Sequence, residues 1–525
     1  MPSRPWSRRT ARRRLAWLRR SAAAGTLTLA MLHDAPIAEA QAPVAVGPEF
    51  QVNTFTTDFQ GNASVGMDAD GDFVVAWTRF VEEDYDVGVY AQRFAADGSA
   101  QGSEFLVNTF TEGDQFGPSM AVDTDGDFVV AWTSRNQDGD GNSIYAQRFA
   151  SDGSAQGSEF RVNTFTTGNQ SAPSVAVDGK GDFVVAWASR DQDGDAYGVY
   201  AQRYAADGVP QNEEFQVNTS TAGDQFGPSV AADTNGDFVV AWQSSGQDGD
   251  EFGIFAQRYA ADGTPQGNEF QVNTFTTGDQ FGTSVAIDGD GDFVIVWQSQ
   301  DQDGDNDGVY ARRYAADGSA RDPEFCVNTF TTGRQDLVAV AMDTEGNFVA
   351  TWTSRDQGGD VDDIFAQSYT ANGLVQGKEF RVNTFTTNRQ RNSSVAVDED
   401  GNFVVVWQSF GQDGDTDGIF AQRFEAFPVA NEDDAPLPTT LALDAVFPNP
   451  ARDAATLRYT LPTTAAVRLS VTDLLGRTVL TRAEGVQPAG QHEAHLSLDD
   501  LPSGVYVVRL DADGVNATQR VTLIR

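Results

Sequence analysis

The chain has 525 residues, 76 of them acidic and 35 basic, for a formal charge of −41. That balance excludes nucleic acid and anionic lipid as partners, because both demand dense Lys and Arg. A single cysteine, Cys326, excludes an intrachain disulfide, and the length exceeds one ordinary domain unless the domain is built from repeats.

Residues 1–42 contradict the acidic balance. They hold eight Arg and two acids, then an apolar run from Ala22 to Leu32, then small residues at Ala38-Glu39-Ala40 and Ala40-Gln41-Ala42. This is the order of a signal peptide, and the apolar run is too short to span a membrane. Ser7-Arg8-Arg9 leaves Sec and twin-arginine export both open. Removing the segment leaves 27 basic and 74 acidic residues, a formal charge of −47.

From residue 43 to 427 the chain repeats every 55 residues. The string E-F-x-V-N-T starts at Glu49, Glu104, Glu159, Glu214, Glu269, Glu324 and Glu379, and one Trp follows in each copy, from Trp77 to Trp407. Each copy holds four strand patterns. In the fifth they are SVAID, DFVIVWQS, GVYARRYA and EFQVNT. The second is apolar on both faces, so it is covered on both sides. Asp-Gly with flanking acids marks the hairpin between the first two strands. Four antiparallel strands that grow more polar outward describe a propeller blade, so the fold class is all-β, a seven-bladed β-propeller. The tryptophans read as core between blades, each burying on the order of 150–250 Å². The first E-F-x-V-N-T precedes any other strand and the last copy lacks one after it, so an N-terminal outer strand completes the seventh blade and leaves no open edge. Cys326 takes a place held by Gln, Leu or Arg elsewhere and reads as an outward-facing, incidental thiol.

Two acidic places recur. The hairpin D-x-D-G-D, as in QFGPSMAVDTDGD (Gln115 to Asp127), resembles the integrin-type FG-GAP repeat, whose hairpins bind calcium. The further carboxylate of that family falls on Ala131 here, so a tight Asp-Gly turn is the expected role. The loop between the second and third strands is the other place. Calcium takes six to eight oxygens from alternating positions of a turning loop. Asp303, Asp305 and Asp307, and again Asp413, Asp415 and Asp417, give D-x-D-x-D-G, the first half of such a loop. The closing glutamate is absent; its place after Asp303 is Tyr314. Calcium is the one candidate cofactor, and a solvated acidic loop is the alternative.

Residues 428–443 are acidic and Pro-containing and read as a linker. Residues 444–525 hold about seven short strands and predict a small β-sandwich. Phe447-Pro448-Asn449-Pro450, Val471-Thr472-Asp473-Leu474-Leu475-Gly476-Arg477, Gly490, and Leu501-Pro502-Ser503-Gly504-Val505-Tyr506 occur in order. This stretch resembles the C-terminal sorting domain of the type IX (Por) secretion system. The resemblance implies passage through the periplasm and recognition by an outer-membrane translocon, with Pro448, Asn449, Pro450, Gly476, Gly490, Gly504 and Tyr506 as its sorting-signal residues. His492 and His495 read as a strand pair rather than a metal site.

All repeats keep one length, no histidine lies between residues 43 and 430, and the sialidase-like order S-x-D-x-G-x-T-W is absent. The expectation is therefore a non-enzymatic surface protein, adhesive or glycan-binding through repeated weak sites, with no catalytic residues and no transmembrane span. A carboxylate-based polysaccharide hydrolase or lyase is the alternative, and a ligand-free scaffold the third.

Overall fold

The structure is a computed structural model. It describes residues 43–426 except 82–85 and 360, and then 441–443, 449, 451–452, 454–462, 465–473, 475–487, 490–498, 501–512 and 514–524. The expected signal peptide (1–42), most of the linker, Pro448 and Pro450 lie outside the described residues. Every regular element among the described residues is a strand.

Seven four-stranded antiparallel sheets follow one another in residues 43–426. In the fifth, Gln280–Ile287, Phe293–Gln300, Asp307–Tyr314 and Phe325–Cys326 run from inside to outside. The second strand is buried on both faces because neighbouring blades cover it. Trp297 packs with Val239, Ala241 and Ile254 of the preceding blade, and all seven repeat tryptophans are fully buried. Aromatic rings extend the contact outward. Phe293 stacks on Tyr314 at 4.8 Å, and Phe270 from the preceding blade's outer strand tilts onto the same Tyr314 at 5.4 Å.

Two elements differ from the sequence expectation. The inner strand is eight residues, not five, and begins at the Gln that ends the linking segment. A register shift interrupts it, and the bulged residue sits at positive φ in every blade. Gly117, Gly227 and Gly282 adopt this left-handed backbone freely and Asn62 and Asn392 tolerate it, but Ala172 and Leu337 carry its cost. The outer strand is shorter than expected. In four blades only the Phe and the next residue pair, as in Phe325–Cys326. The rest of E-F-x-V-N-T leaves the sheet, because its Val and Asn turn inward.

That Asn is a hub. Asn273 accepts the Ile254 amide at 2.8 Å within its own blade, and its Nδ2 donates to Phe275 O at 2.9 Å and to Gln280 Oε1 at 2.9 Å in the next. The motif's Glu also joins two blades. Glu269 Oε1 accepts from Gln247 at 2.5 Å and its Oε2 accepts the Thr219 amide at 2.6 Å. At the seam the same groups close the ring. Val44–Gln51 pairs antiparallel with Asp417–Glu425, Gln412 donates to Glu49 at 2.6 Å, and the Thr384 amide does so at 2.6 Å.

The C-terminal part holds two further sheets. One is Ala442–Leu443, Ala454–Leu461 and Gly490–Ser497, the other Thr478–Gln487, Ala465–Asp473, Gly504–Ala512 and Val515–Leu523. They share one apolar core, including Leu457, Leu469, Val508 and Val521. This is the expected sandwich of seven strands, although its first strand starts at Ala442, two residues inside the expected linker.

Ring closure by Glu49 is testable. Glu49→Ala leaves the Thr384 amide and the Gln412 amide without their acceptor, which costs roughly 1–3 kcal/mol. Chemical denaturation of the mature chain is expected to show that loss, and limited proteolysis is expected to cut first near the seam.

Candidate functional site

The acidic loops between second and third strands line one face, and their aspartates point in three directions. Asp303 is half-buried, with Oδ2 accepting from Asn328 at 3.3 Å and Oδ1 accepting the Asp305 amide at 3.4 Å. Asp305 is exposed and caps the Gly333 amide of the next blade at 3.0 Å. Asp307 faces Arg334; burial raises its carboxyl, partly offset by that guanidinium. The second loop repeats this. Asp415 caps the Asp58 amide across the seam at 2.8 Å, Asp413 turns inward toward Asn53 with Oδ1 accepting the Asp415 amide at 3.3 Å, and buried Asp417 pairs with Arg389 at 3.5 Å. Asp140, Asp195 and Asp250 cap Gly168, Gly223 and Gly278 in the same way, each at 3.1 Å. The loop is thus a brace between blades. Among the described residues no three His, Cys, Asp or Glu side chains are placed to hold a metal ion. The expected calcium donors Asp303, Asp305, Asp307, Asp413, Asp415 and Asp417 are not brought together as a ligand set, because each is drawn toward a different amide or guanidinium.

The D-x-D-G-D hairpins are turns. Asp123 Oδ1 accepts the amides of Asp125 and Asp127 at 3.0 and 2.9 Å, and Gly126 sits at φ 85°. Asp127 then reaches the outer hairpin, accepting from the Ser151 amide at 2.9 Å and Gln156 at 2.8 Å. The Cys326 residue is exposed, as expected, but its sulfur packs on Asn328 at 3.2 Å. Burial of the sulfur, then the Asp303 charge, pushes the thiol up to about 11, so it is unreactive at neutral pH.

The sixth blade breaks the symmetry on this face. After the inner-strand Gln, the blades carry Gly61, Phe116, Ser171, Phe226, Phe281, Asp336 and Arg391. Asp336 is 6% exposed, pairs with Arg334 at 2.7 Å through Oδ2, and leaves Oδ1 without a partner. Burial raises its carboxyl to about 6, against the lowering by Arg334. In the same blade Asp363 is fully buried, where five other blades have Gly, and Asn383 holds it at 2.7 Å. Sequence reading missed both residues because it followed what recurs. The signal was an acidic residue at positions that are neutral in the first five copies.

In the tail, three of the residues expected to carry the sorting signal, Asn449, Gly504 and Tyr506, meet the last strand. Asn449 accepts the Thr522 amide at 2.8 Å and donates to Arg520 O at 2.9 Å. Gly476 turns at φ 79° beside Asp473, whose Oδ1 accepts the Leu475 and Arg477 amides. Gly504 opens a strand against Leu523, and buried Tyr506 donates to Pro502 O at 2.7 Å. Gly490 opens the strand that carries both histidines. His492 stacks on Tyr459 at 5.3 Å while His495 meets Thr456 at 3.0 Å. Three residues apart on a strand, the two histidines face opposite sides.

The fold and this tail define an exported seven-bladed propeller with a C-terminal sorting module. Residues 445–524 match the family described as the secretion system C-terminal sorting domain, of the Por type. That places the protein at the outer-membrane surface or in the extracellular space, handled by the type IX secretion system. Among the described residues no helix is long and apolar enough to cross a membrane. No curated protein matches the chain. Among solved structures, a protein of unknown function from Dyadobacter fermentans is 13% identical, with 73% of this chain and 98% of that one covered at a TM-score of 0.45. The β-propeller domain of the Trilobed protease from Pyrococcus furiosus, described as having an open velcro topology, is 9% identical over 69% and 93% at 0.42. PorZ, a surface component of the type IX secretion system of Porphyromonas gingivalis, is 13% identical over 88% and 70% at 0.27. At these scores the likenesses carry no argument about chemistry.

Asp336 yields a pH prediction. Its folded carboxyl titrates near 6, above the ordinary 3.8, so the folded state holds the proton more tightly. Stability from this group is present near pH 4 and is lost as pH rises through about 6, by at most roughly 3 kcal/mol. Asp336→Asn is expected to flatten that part of the stability profile in denaturation series between pH 4 and 7. Parallel profiles for the two proteins would refute the assignment.

Proposed function

We propose that the mature protein is a non-enzymatic surface binder that engages a repetitive ligand, such as a glycan, through its ring of equivalent loops. The supporting observation is that the acidic loop and its brace recur at five blade junctions with one loop length. Such a ring presents the same weak contact several times at fixed spacing, which multiplies affinity without any strong single site. Exposed Asp140, Asp195, Asp250, Asp305 and Asp415 stand on this face with their neighbouring Thr and Gly segments. Surface delivery by the sorting domain is consistent with such a role.

Calcium enters this reading only as a bridging or screening ion, since the loop carboxylates are each held by another partner. A chain of charge −47 gains from any divalent ion by screening. Melting residues 43–525 in calcium, and in magnesium at equal ionic strength, is expected to give equal shifts. A calcium-specific gain, lost in Asp303→Asn and Asp413→Asn, would establish chelation instead.

A second reading rests on Asp336. A buried carboxyl near 6 with a free oxygen has the protonation range of a general acid. Incubation of the mature protein with a polysaccharide panel is expected to yield binding in a pull-down and no new reducing or unsaturated ends. Cleavage abolished by Asp336→Asn would make the protein a hydrolase or lyase.

A further inference from the structure

On the face opposite the acidic loops, six of the seven blades extend one arginine to the next. Arg93, Arg148, Arg203, Arg258 and Arg313 donate to backbone carbonyls of the following blade's outer hairpin, at 2.5 to 2.8 Å. Arg423 of the seventh blade reaches Asp97 O of the first. The second amino group of the guanidinium is held within its own blade by a glutamine, as in Arg93–Gln101 at 2.6 Å, Arg203–Gln211 at 2.6 Å and Arg258–Gln266 at 2.7 Å. The hairpin glycine lies flat against it; a Cβ on Gly98, Gly153, Gly208, Gly263, Gly318 or Gly373 would collide with or crowd the arginine. The bond to the next blade's hairpin recurs at six of the seven blade junctions; the glutamine completes it at four, and Arg313 uses Asp322 instead.

At the junction of blades six and seven the arginine is replaced by Ser368. Its hydroxyl is buried, with the residue 6% exposed, and has no hydrogen-bond partner among the described residues. The receptor glutamine is retained as Gln376. Together with Tyr369 and Ala426 they line a cleft of about 160 Å³. Asp343 lies in it, and Glu345, Glu399 and Asp400 stand exposed at its mouth. Among the described residues, which include Pro43 at its edge, no basic side chain lines it. The corresponding clefts at three other junctions each include the arginine, as Arg203, Arg148 and Arg423.

We propose that this cleft binds an alkylguanidinium group from outside the propeller. Four carboxylates supply the charge, and Gln376 Oε1 supplies the acceptor that the first four blades use. The Ser368 hydroxyl supplies a further acceptor where a long side chain would otherwise lie. Planar, weakly hydrated guanidinium fits such a polar slot better than a compact ammonium. The group comes either from a free small molecule or from an arginine side chain on a polypeptide.

The test uses the mature chain, residues 43–525, melted with 1–50 mM methylguanidinium chloride, with tetramethylammonium chloride as the ionic-strength control, and with the tripeptide Gly-Arg-Gly. Methylguanidinium is expected to raise Tm saturably over the control. Ser368→Arg, which supplies the group from within, is expected to melt higher than the parent and to lose the response. Gln376→Leu and Glu345→Gln, which leave the blade core intact, are expected to shift the half-saturating concentration upward several-fold. A response to Gly-Arg-Gly equal to that of methylguanidinium assigns the site to a polypeptide arginine; a response to methylguanidinium alone assigns it to a small molecule. No saturable gain over tetramethylammonium, or an undiminished gain in Ser368→Arg, overturns the proposal.

Discussion

The architecture depends on one buried asparagine per repeat. Where E-F-x-V-N-T leaves its sheet, the chain must cross from the outside of one blade to the inside of the next, and backbone groups buried on the way need partners. Asn53, Asn108, Asn163, Asn218, Asn273, Asn328 and Asn383 are all buried there. Each side-chain oxygen takes an amide of the third strand, and each amide group donates to the crossing backbone. The preceding Val fills the space beside it, from Val52 to Val382 at 0–2% exposure. This fixes the angle at which blades succeed one another, and the stacked tryptophan strands then follow from simple apolar burial.

The acidity of the chain is explained largely by the same need. Repeating turns leave amides that point away from the sheets, and short carboxylates reach them without the entropy of a long side chain. Asp68, Asp123, Asp233, Asp288 and Asp398 are each raised by burial, with the amides they accept pulling the other way. The aspartates are thus struts first, and ionising them costs stability, a loss that develops as the pH rises through their raised titration range and is constant above it.

Against so regular a background, the informative residues are the exceptions. The sixth blade replaces the inner-strand Ser by Ala339 and the bridging arginine by Ser368, and adds Asp336 and Asp363. In six junctions a Ser hydroxyl accepts the next inner strand's amide, as Ser284 does for Val340 at 3.3 Å. The sixth-to-seventh junction lacks both this bond and the guanidinium bridge. The seventh blade takes its outer strand from Val44–Gln51, so its third and outer strands are not joined by the hairpin that receives an arginine elsewhere.

The sequence alone determined the number of blades, the buried tryptophans, the N-terminal closing strand and the sandwich tail. The first three are written in the fixed 55-residue spacing, which is unambiguous even without a partner structure, and the tail in its own strand pattern and motifs. It also marked the acidic loops, but not what they do. Asp303, Asp305 and Asp307 are adjacent in the chain and spell a ligand pattern; only the packing of blade against blade shows that Asp305 is committed to Gly333 and Asp303 to Asn328. The same holds for Asp336 and Ser368, whose environments are made by residues brought from neighbouring repeats. Spacing along the chain fixes which side chains can alternate on a strand; the direction of a loop carboxylate and the burial of a lone polar group depend on what the next blade places beside them.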